Sequence, residues 1–274
     1  MIDSLRSVRS VLFLPASNPR AIGHARESAA DLVVLDLEDA VKPEDKQEAR
    51  TAALEAVATG WPMPVAIRVN AVGTEWHSLD VDMVARSSAG FAVLPRATSA
   101  HIAHDVAKTV SKPLLAMIET AAGVLAAPQI AGECAGLIAG TNDLAADLCL
   151  PPGAGRQPLQ TALQTIVLAA RAAGIAVFDG VFNDLEDLDG FDAECAEGRL
   201  LGFDGKSLIH PRQIEPCNRA FSPSEEELAR ARRLVEAYGG GAERFEGRMI
   251  ERMHVAAAER LLQRAGASPE PRET

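Results

Sequence analysis

The chain has 274 residues, of which 47% are hydrophobic, 24% charged and only 4% aromatic, and its formal net charge is −11. That length is enough for one large domain or two small ones, and the composition is that of a globular protein with an aliphatic core. The acidic balance argues against nucleic acid and anionic membrane as partners, but leaves room for a local basic pocket that takes a small anion.

In chain order, short β-branched and leucine-rich runs alternate with longer stretches of helical spacing. Val8–Leu14 and Leu32–Leu37 are the first two strand candidates, and Glu44–Thr59 the first clear helix. That helix has Pro43 before it, Glu44 and Asp45 in its first turn and Gly60 as its stop. Strand candidates follow at Val65–Val69 and Gly90–Leu94, then a helix at Ser99–Val110. Leu114–Ile118 and Gly136–Ala139 are strands five and six. A helix over Pro158–Ala173 leads to a strand at Gly174–Phe178, and the eighth is placed at Gly202–Asp204, mainly from its position. Ser222–Pro223 opens a further helix, Ser224–Tyr238. The strand candidates are mostly continuous apolar runs, as a parallel sheet covered on both faces requires.

Eight strands in strand–helix order predict an α/β fold, a (β/α)8 TIM barrel. An open dinucleotide-binding sheet would carry G-x-G-x-x-G after its first strand. Here that position reads Pro15-Ala16-Ser17-Asn18-Pro19. The barrel domain is expected to span residues 1–238. Gly239-Gly240-Gly241-Ala242 then punctuates the chain, and residues 239–274 are expected to form a helical extension, Glu246–Arg264, with a frayed tail. No secretory leader and no long apolar run is seen, so a cytoplasmic location is expected. Cys134, Cys149, Cys195 and Cys217 form no C-x-x-C pair and are expected to be free thiols in a reducing compartment.

In such a barrel the active site lies at the C-terminal ends of the strands. Charged or polar residues gather there: Asp36, Glu38 and Asp39 after strand two, Arg68 and Asn70 on strand three, Arg96 after strand four, Glu119 after strand five. Asn142 and Asp143 follow strand six, Asp179 strand seven and Lys206 strand eight. Glu119 and Asp143, on adjacent strands, suit magnesium, which prefers oxygen ligands and keeps several waters. Asp36, Glu38 and Asp39 would hold those waters or orient Arg68 from behind. Helix caps and salt-bridge partners remain an alternative for both Glu119 and Asp143. Arg68 would donate to an oxygen that gains charge, or simply neutralise its acidic neighbours. Gly140, Thr141 and Asn142 lead into a helix whose backbone N–H groups suit a substrate carboxylate. Lys206 raises a Schiff-base alternative, which needs a depressed pKa. The six histidines show no metal-ligand spacing; His210-Pro211 is read as a turn.

The segments SVLFLP, LVVLDLEDAVKPEDKQEAR, IRVNAVGTEWH, LPRAT, MIETAAGV, GTNDLAADL and GFDGKSLIHPRQI, in this order, resemble the citrate lyase beta-subunit-like family of the HpcH/HpaI aldolase superfamily over about residues 8–260. The resemblance implies a magnesium-bound barrel assembled as a trimer or hexamer. It implies Glu119 and Asp143 as the metal carboxylates, Arg68 as the contact to the substrate carbonyl or enolate oxygen, and Glu38 and Asp39 as the acidic pair near the metal waters. Many thioester-active relatives carry Asp-x-Pro in a C-terminal Gly-x-Met-Ile-Asp-x-Pro segment, where the aspartate serves a neighbouring subunit. This chain departs from that pattern with Gly247-Arg248-Met249-Ile250-Glu251-Arg252-Met253, so Glu251 stands where Asp is expected.

The implied activity is carbon–carbon cleavage or condensation of a malyl-CoA- or citramalyl-CoA-like thioester, giving glyoxylate or pyruvate plus acyl-CoA. By analogy Arg9, Arg20 and Lys42 would contact the CoA phosphates. The alternatives are a citryl-thioester lyase subunit working with acyl carrier protein, a malyl-CoA-like thioesterase, a free oxo-acid aldolase, and a non-catalytic 2-oxo-acid-binding barrel.

Overall fold

The apolar runs become eight short parallel strands: β1 (Ser10–Pro15), β2 (Leu32–Asp36), β3 (Val65–Arg68), β4 (Phe91–Leu94), β5 (Leu114–Ile118), β6 (Gly136–Ala139), β7 (Ala176–Asp179) and β8 (Gly205–Leu208). They pair in chain order, and β8 closes on β1 through Ser10–Lys206, Val11–Ser207 and Leu12–Leu208. The structure is a computed structural model that describes residues 5–267. The expected (β/α)8 barrel is therefore the fold observed.

Helices fill the connections: α1 (Pro19–Arg26), α2 (Lys46–Ala58), α3 (His77–Arg86), α4 (Ala100–Val110), α5 (Ala121–Ala131), α6 (Thr141–Asp147), α7 (Gln160–Ala173), α8 (Leu188–Leu201) and α9 (Ile214–Phe221). After them come α10 (Glu225–Ala237) and α11 (Arg252–Ala267). Their starts are written locally. The side chains of Asn18, Ser99, Thr120 and Asp187 accept N–H bonds at the starts of α1, α4, α5 and α8, and Ser224 with Glu227 forms a capping box on α10. Gly174 and Gly202, at φ +71° and +100°, end α7 and α8 in the left-handed conformation that glycine allows.

Alternation along the strands decides what reaches the mouth. Val11, Val34, Ala66, Phe91, Leu115, Met117, Ile138 and Phe178 fill the barrel interior, while Leu12, Leu35, Ile67, Ala116, Leu137 and Val177 pack outward against the helices. The next inward positions after Val34, Ala66, Met117 and Ile138 are Asp36, Arg68, Glu119 and Gly140. The interior is thus apolar at its floor and charged at its C-terminal rim.

Three sequence expectations are corrected. Residues 202–204 are not the eighth strand; it runs from Gly205 to Leu208, and Lys206 lies within it. Polar residues hid this strand, because the lysine's cost of burial is met by carboxylates far away in sequence. Gly205 is required there, since a Cβ would come within 2.6 Å of the Val8 carbonyl oxygen. The predicted helix from Glu246 is instead preceded by a hairpin, β9 (Glu243–Phe245) with β10 (Arg248–Ile250). Its turn residues Glu246 and Gly247 both have positive φ, +47° and +82°, as a type I′ turn demands. Finally, α11 continues to Ala267 rather than fraying from residue 265; residues 268–274 lie outside the described part of the chain.

The hairpin and α11 share a separate apolar cluster with α10, built from Ala231, Leu234, Ile250, Val255 and Ala258. Among the described residues no helix is long and apolar enough to cross a membrane.

Candidate active site

At the mouth, Arg68 of β3 organises the acidic residues at the end of β2 and in the loop that follows it. Its Nε and Nη2 each donate to Asp36 at 2.6 Å, a bidentate pair. Asp36, 1% exposed, also accepts the backbone N–H groups of Glu38 and Ala40, so its lone pairs are committed to fixing Arg68 and the following loop. Arg68 Nη1 lies 2.9 Å from Glu38 Oε2 in a charge contact whose angles do not make a hydrogen bond, and 4.0 Å from Asp39. The Phe13 ring and Met117 Sδ pack on the same guanidinium. Burial opposes the Arg68 charge, but Asp36 and Glu38 outweigh it and hold its pKa above the ordinary value. Burial pushes Glu38 up to about 8 despite the pull of Arg68.

The loop itself is held from beneath. The buried ammonium of Lys46 donates at 2.7 Å to the carbonyls of Leu37 and Glu38 and to Asn70 Oδ1. Asn70 passes the linkage to Asp80, which pairs with Arg50. Asn70 is thus a structural tie rather than a mouth residue. Lys46→Met is expected to remove three hydrogen bonds, leaving Asn70 Oδ1 without a donor, and to lower stability by about 3 kcal/mol. Denaturant unfolding checks this, and an unchanged midpoint would show that the ammonium does not anchor the loop.

Glu119 follows β5 and is 2% exposed. Its Oε1 accepts the backbone N–H of Arg96 at 2.6 Å, while Oε2 is buried with no partner among the described residues. Burial pushes its pKa up to about 7; the Arg96 N–H holds it back and the nearby Asp143 charge raises it further. Asp143, in the first turn of α6, is half-exposed, with Arg96 Nη1 3.7 Å from its Oδ1. Gly140 lets the strand end pass against this carboxylate, since a Cβ there would stand 2.5 Å from Glu119 Oε2. Its own N–H is spent on the Ile118 carbonyl, so of the three residues expected to present amides only Thr141 and Asn142 remain available. The Asn142 side chain exchanges hydrogen bonds with Asn183 from the β7 side.

These groups line one cavity of about 380 Å³, which includes Asp36, Asp39, Arg68, Glu119, Thr141 and Asp143. No group of three His, Cys, Asp or Glu able to hold a metal is found among the described residues. Two carboxylates facing one cavity, one with an orphaned buried oxygen and a raised pKa, nevertheless fit a hard divalent cation that keeps most of its waters.

Other sequence candidates lie elsewhere. Arg9 precedes β1 at the opposite end of the barrel, where it pairs in bidentate fashion with Asp31 and donates to Ser222, so it does not face the mouth. Arg20 borders a second cavity of about 380 Å³ that shares Phe13, Leu14, Pro15 and Ile209 with the first. Lys42 is exposed and lines neither cavity. Glu251 is exposed at the start of α11, also away from both.

Asp179 and Lys206 point outward into the helix layer. Lys206 Nζ donates to Asp179 at 3.2 Å and to Glu194 and the Gly180 carbonyl at 2.6 Å, and Arg156 completes the network on Asp179. Burial alone would lower the Lys206 pKa, but Asp179 and Glu194 outweigh it and hold it above the ordinary lysine value. A saturated, charged lysine cannot act as a Schiff-base nucleophile, and that alternative is dropped.

Sequence reading missed Lys46, Arg156 and the inward Ser207. For Ser207 the signal was available in strand alternation, once β8 is set three residues later.

Comparison with known proteins agrees with this fold. The profile of the HpcH/HpaI aldolase/citrate lyase family matches residues 9–211, and that of the TIM-barrel carbon–carbon bond lyases matches residues 156–267. A (3S)-malyl-CoA thioesterase of Cereibacter sphaeroides is 41% identical over 97% of this chain and 98% of its own length. The citrate lyase subunit beta of Leuconostoc mesenteroides subsp. cremoris is 33% identical over 97% and 96%. Among solved structures, CitE from Mycobacterium tuberculosis in complex with magnesium, acetoacetate and coenzyme A superposes with a TM-score of 0.85 at 35% identity, covering 96% of this chain and 100% of that one.

Proposed function

The chain belongs to the HpcH/HpaI aldolase/citrate lyase family, and from that premise we propose that it is a magnesium-dependent carbon–carbon lyase that cleaves or condenses a malyl-CoA- or citramalyl-CoA-like thioester. The observation that carries the reading is the orphaned Glu119 oxygen beside Asp143, in the same cavity as a locked Arg68. It is supported by a structural relative that holds magnesium, an oxo acid and coenzyme A together.

Glu119 and Asp143 would hold Mg2+. The bound ion would acidify the substrate hydroxyl and neutralise its carboxylate. The N–H groups of Thr141 and Asn142 offer donors to that carboxylate. A carboxylate base takes the hydroxyl proton, the carbon–carbon bond breaks, and its electron pair moves onto the acyl half as a thioester enolate. Arg68, held rigid by Asp36, donates to the enolate oxygen as charge develops there. The protonated base then returns the proton to the enolate carbon, giving glyoxylate or pyruvate plus acyl-CoA.

Glu251 of a second copy would be that base, which implies a homo-oligomer, a trimer or hexamer. Mixing inactive Glu119→Gln and Glu251→Ala chains is expected to restore part of the activity if sites are shared between copies. No recovery after subunit exchange would remove Glu251 from this role. A cytoplasmic setting fits the four free cysteines.

The test is product analysis with malyl-CoA and both citramalyl-CoA stereoisomers, with magnesium or EDTA. Matched release of oxo acid and acyl-CoA, suppressed by EDTA, is expected. Release of free CoA with intact hydroxy acid would favour the second reading, thioester hydrolysis, which the likeness to the malyl-CoA thioesterase motivates. Activity only on a carrier-protein thioester would favour a citrate lyase-type subunit.

A further inference from the structure

Most polar side chains of the mouth already have partners: Asp36 with Arg68, Asn142 with Asn183, Glu119 with the Arg96 amide. Ser207 does not. It is 2% exposed, its Oγ is buried with no hydrogen-bond partner among the described residues, and it lines the cavity. Strand alternation explains the aim: Lys206 and Leu208 turn outward to the helices, so Ser207 between them turns inward, beside Val11 of β1.

The apolar part of the cavity lining includes Phe13, Pro15, Val181 and Ile209. In the strand order β8 stands three strands from β5, which leads to Glu119, and three from β3, which carries Arg68. Ser207 therefore faces the charged rim from the far wall. A buried hydroxyl left unpaired is costly, and an apolar residue of similar size would avoid that cost. A hydroxyl kept in such a place has its partner in what fills the cavity.

We infer that the Ser207 hydroxyl donates a hydrogen bond to an oxygen of the substrate's acyl half, the part that leaves as acyl-thioester. This rests on the lyase reading, in which the 2-hydroxy acid end is drawn to Glu119 and Asp143. A two- or three-carbon oxo acid at that end leaves most of the roughly 380 Å³ cavity to the acyl group and its thioester. Ser207 is then a specificity-determining contact across the cavity from Glu119.

The experiment measures binding by calorimetry, with magnesium present, of two probes: pyruvate for the oxo-acid end and acetyl-CoA for the acyl half. Wild type, Ser207→Ala and Ser207→Thr are compared. Ser207→Ala is expected to weaken acetyl-CoA about three- to tenfold, the effect of one lost hydrogen bond, with pyruvate unchanged. Ser207→Thr keeps the hydroxyl and is expected to bind acetyl-CoA close to wild type. Unchanged acetyl-CoA affinity in Ser207→Ala overturns the assignment, as does a loss confined to pyruvate. Turnover separates the two claims. A wild type that cleaves no thioester defeats the lyase reading, whereas one that cleaves while Ser207→Ala binds acetyl-CoA normally defeats only the Ser207 contact.

Discussion

Replacing Arg68 with alanine is expected to lower kcat by about 10²- to 10³-fold and stability by about 3 kcal/mol. The first effect follows from losing a preorganised donor at the oxygen that becomes negative during cleavage. The second follows from the fold, because Asp36 is 1% exposed and its bidentate partner would be gone, leaving a buried carboxylate uncompensated. Arg68→Lys separates the two. It keeps a positive charge against Asp36 and Glu38 but loses the planar fork, so stability should recover more than catalysis. Steady-state kinetics with malyl-CoA and thermal unfolding of both variants provide the comparison. An Arg68→Ala enzyme with normal kcat would remove the arginine from the chemistry and leave it a structural counter-ion.

Glu119→Gln is expected to abolish measurable magnesium-dependent turnover and the stabilisation that magnesium confers on the wild-type protein, while leaving the metal-free fold at least as stable. Glu119 is 2% exposed, and burial lifts its pKa from the ordinary 4.5 to about 7. A carboxyl whose folded pKa is raised stabilises the fold in its protonated form. That contribution is complete below about pH 4.5 and is lost as pH rises through 7, amounting to about 3 kcal/mol. Glutamine is neutral throughout, so the metal-free variant should lose less stability than wild type between these pH values. Glu38, pushed up to about 8, keeps its own share of the decline in both proteins. Magnesium must displace the Glu119 proton, so its stabilisation of wild type should grow as pH rises through 7. A magnesium-induced shift in Tm that survives in Glu119→Gln would sink the metal assignment.

Much of this molecule is written locally. The barrel was legible because its buried strands must be apolar on both faces, which leaves runs such as Leu32–Leu35 and Leu114–Ile118. Arg68, Glu119 and Asp143 were legible because a charge that interrupts or ends such a run lies at the strand's C-terminal end, where the barrel mouth forms. The helix starts were legible because their caps are near neighbours in sequence.

What the sequence could not show depends on partners far apart in the chain. The eighth strand carries Lys206, whose burial is tolerable only because Asp179, Glu194 and the Gly180 carbonyl converge on it. Asp36 became the clamp on Arg68 because the register sets those two residues side by side. Lys46 looked like an ordinary residue in the first turn of a helix until the barrel closed over it. Arg9 carried a suitable charge, yet it stands at the wrong end of its strand. Local composition thus determined the elements and the rim on which the chemistry would lie. Closure of the barrel decided which charges meet, which are spent on one another, and that among the described residues lining the cavity Glu119 and Ser207 keep a buried, unpaired atom. Backbone periodicity is set within a few residues, whereas the pairing of charges and hydroxyls is set only when strands far apart in sequence are brought into register.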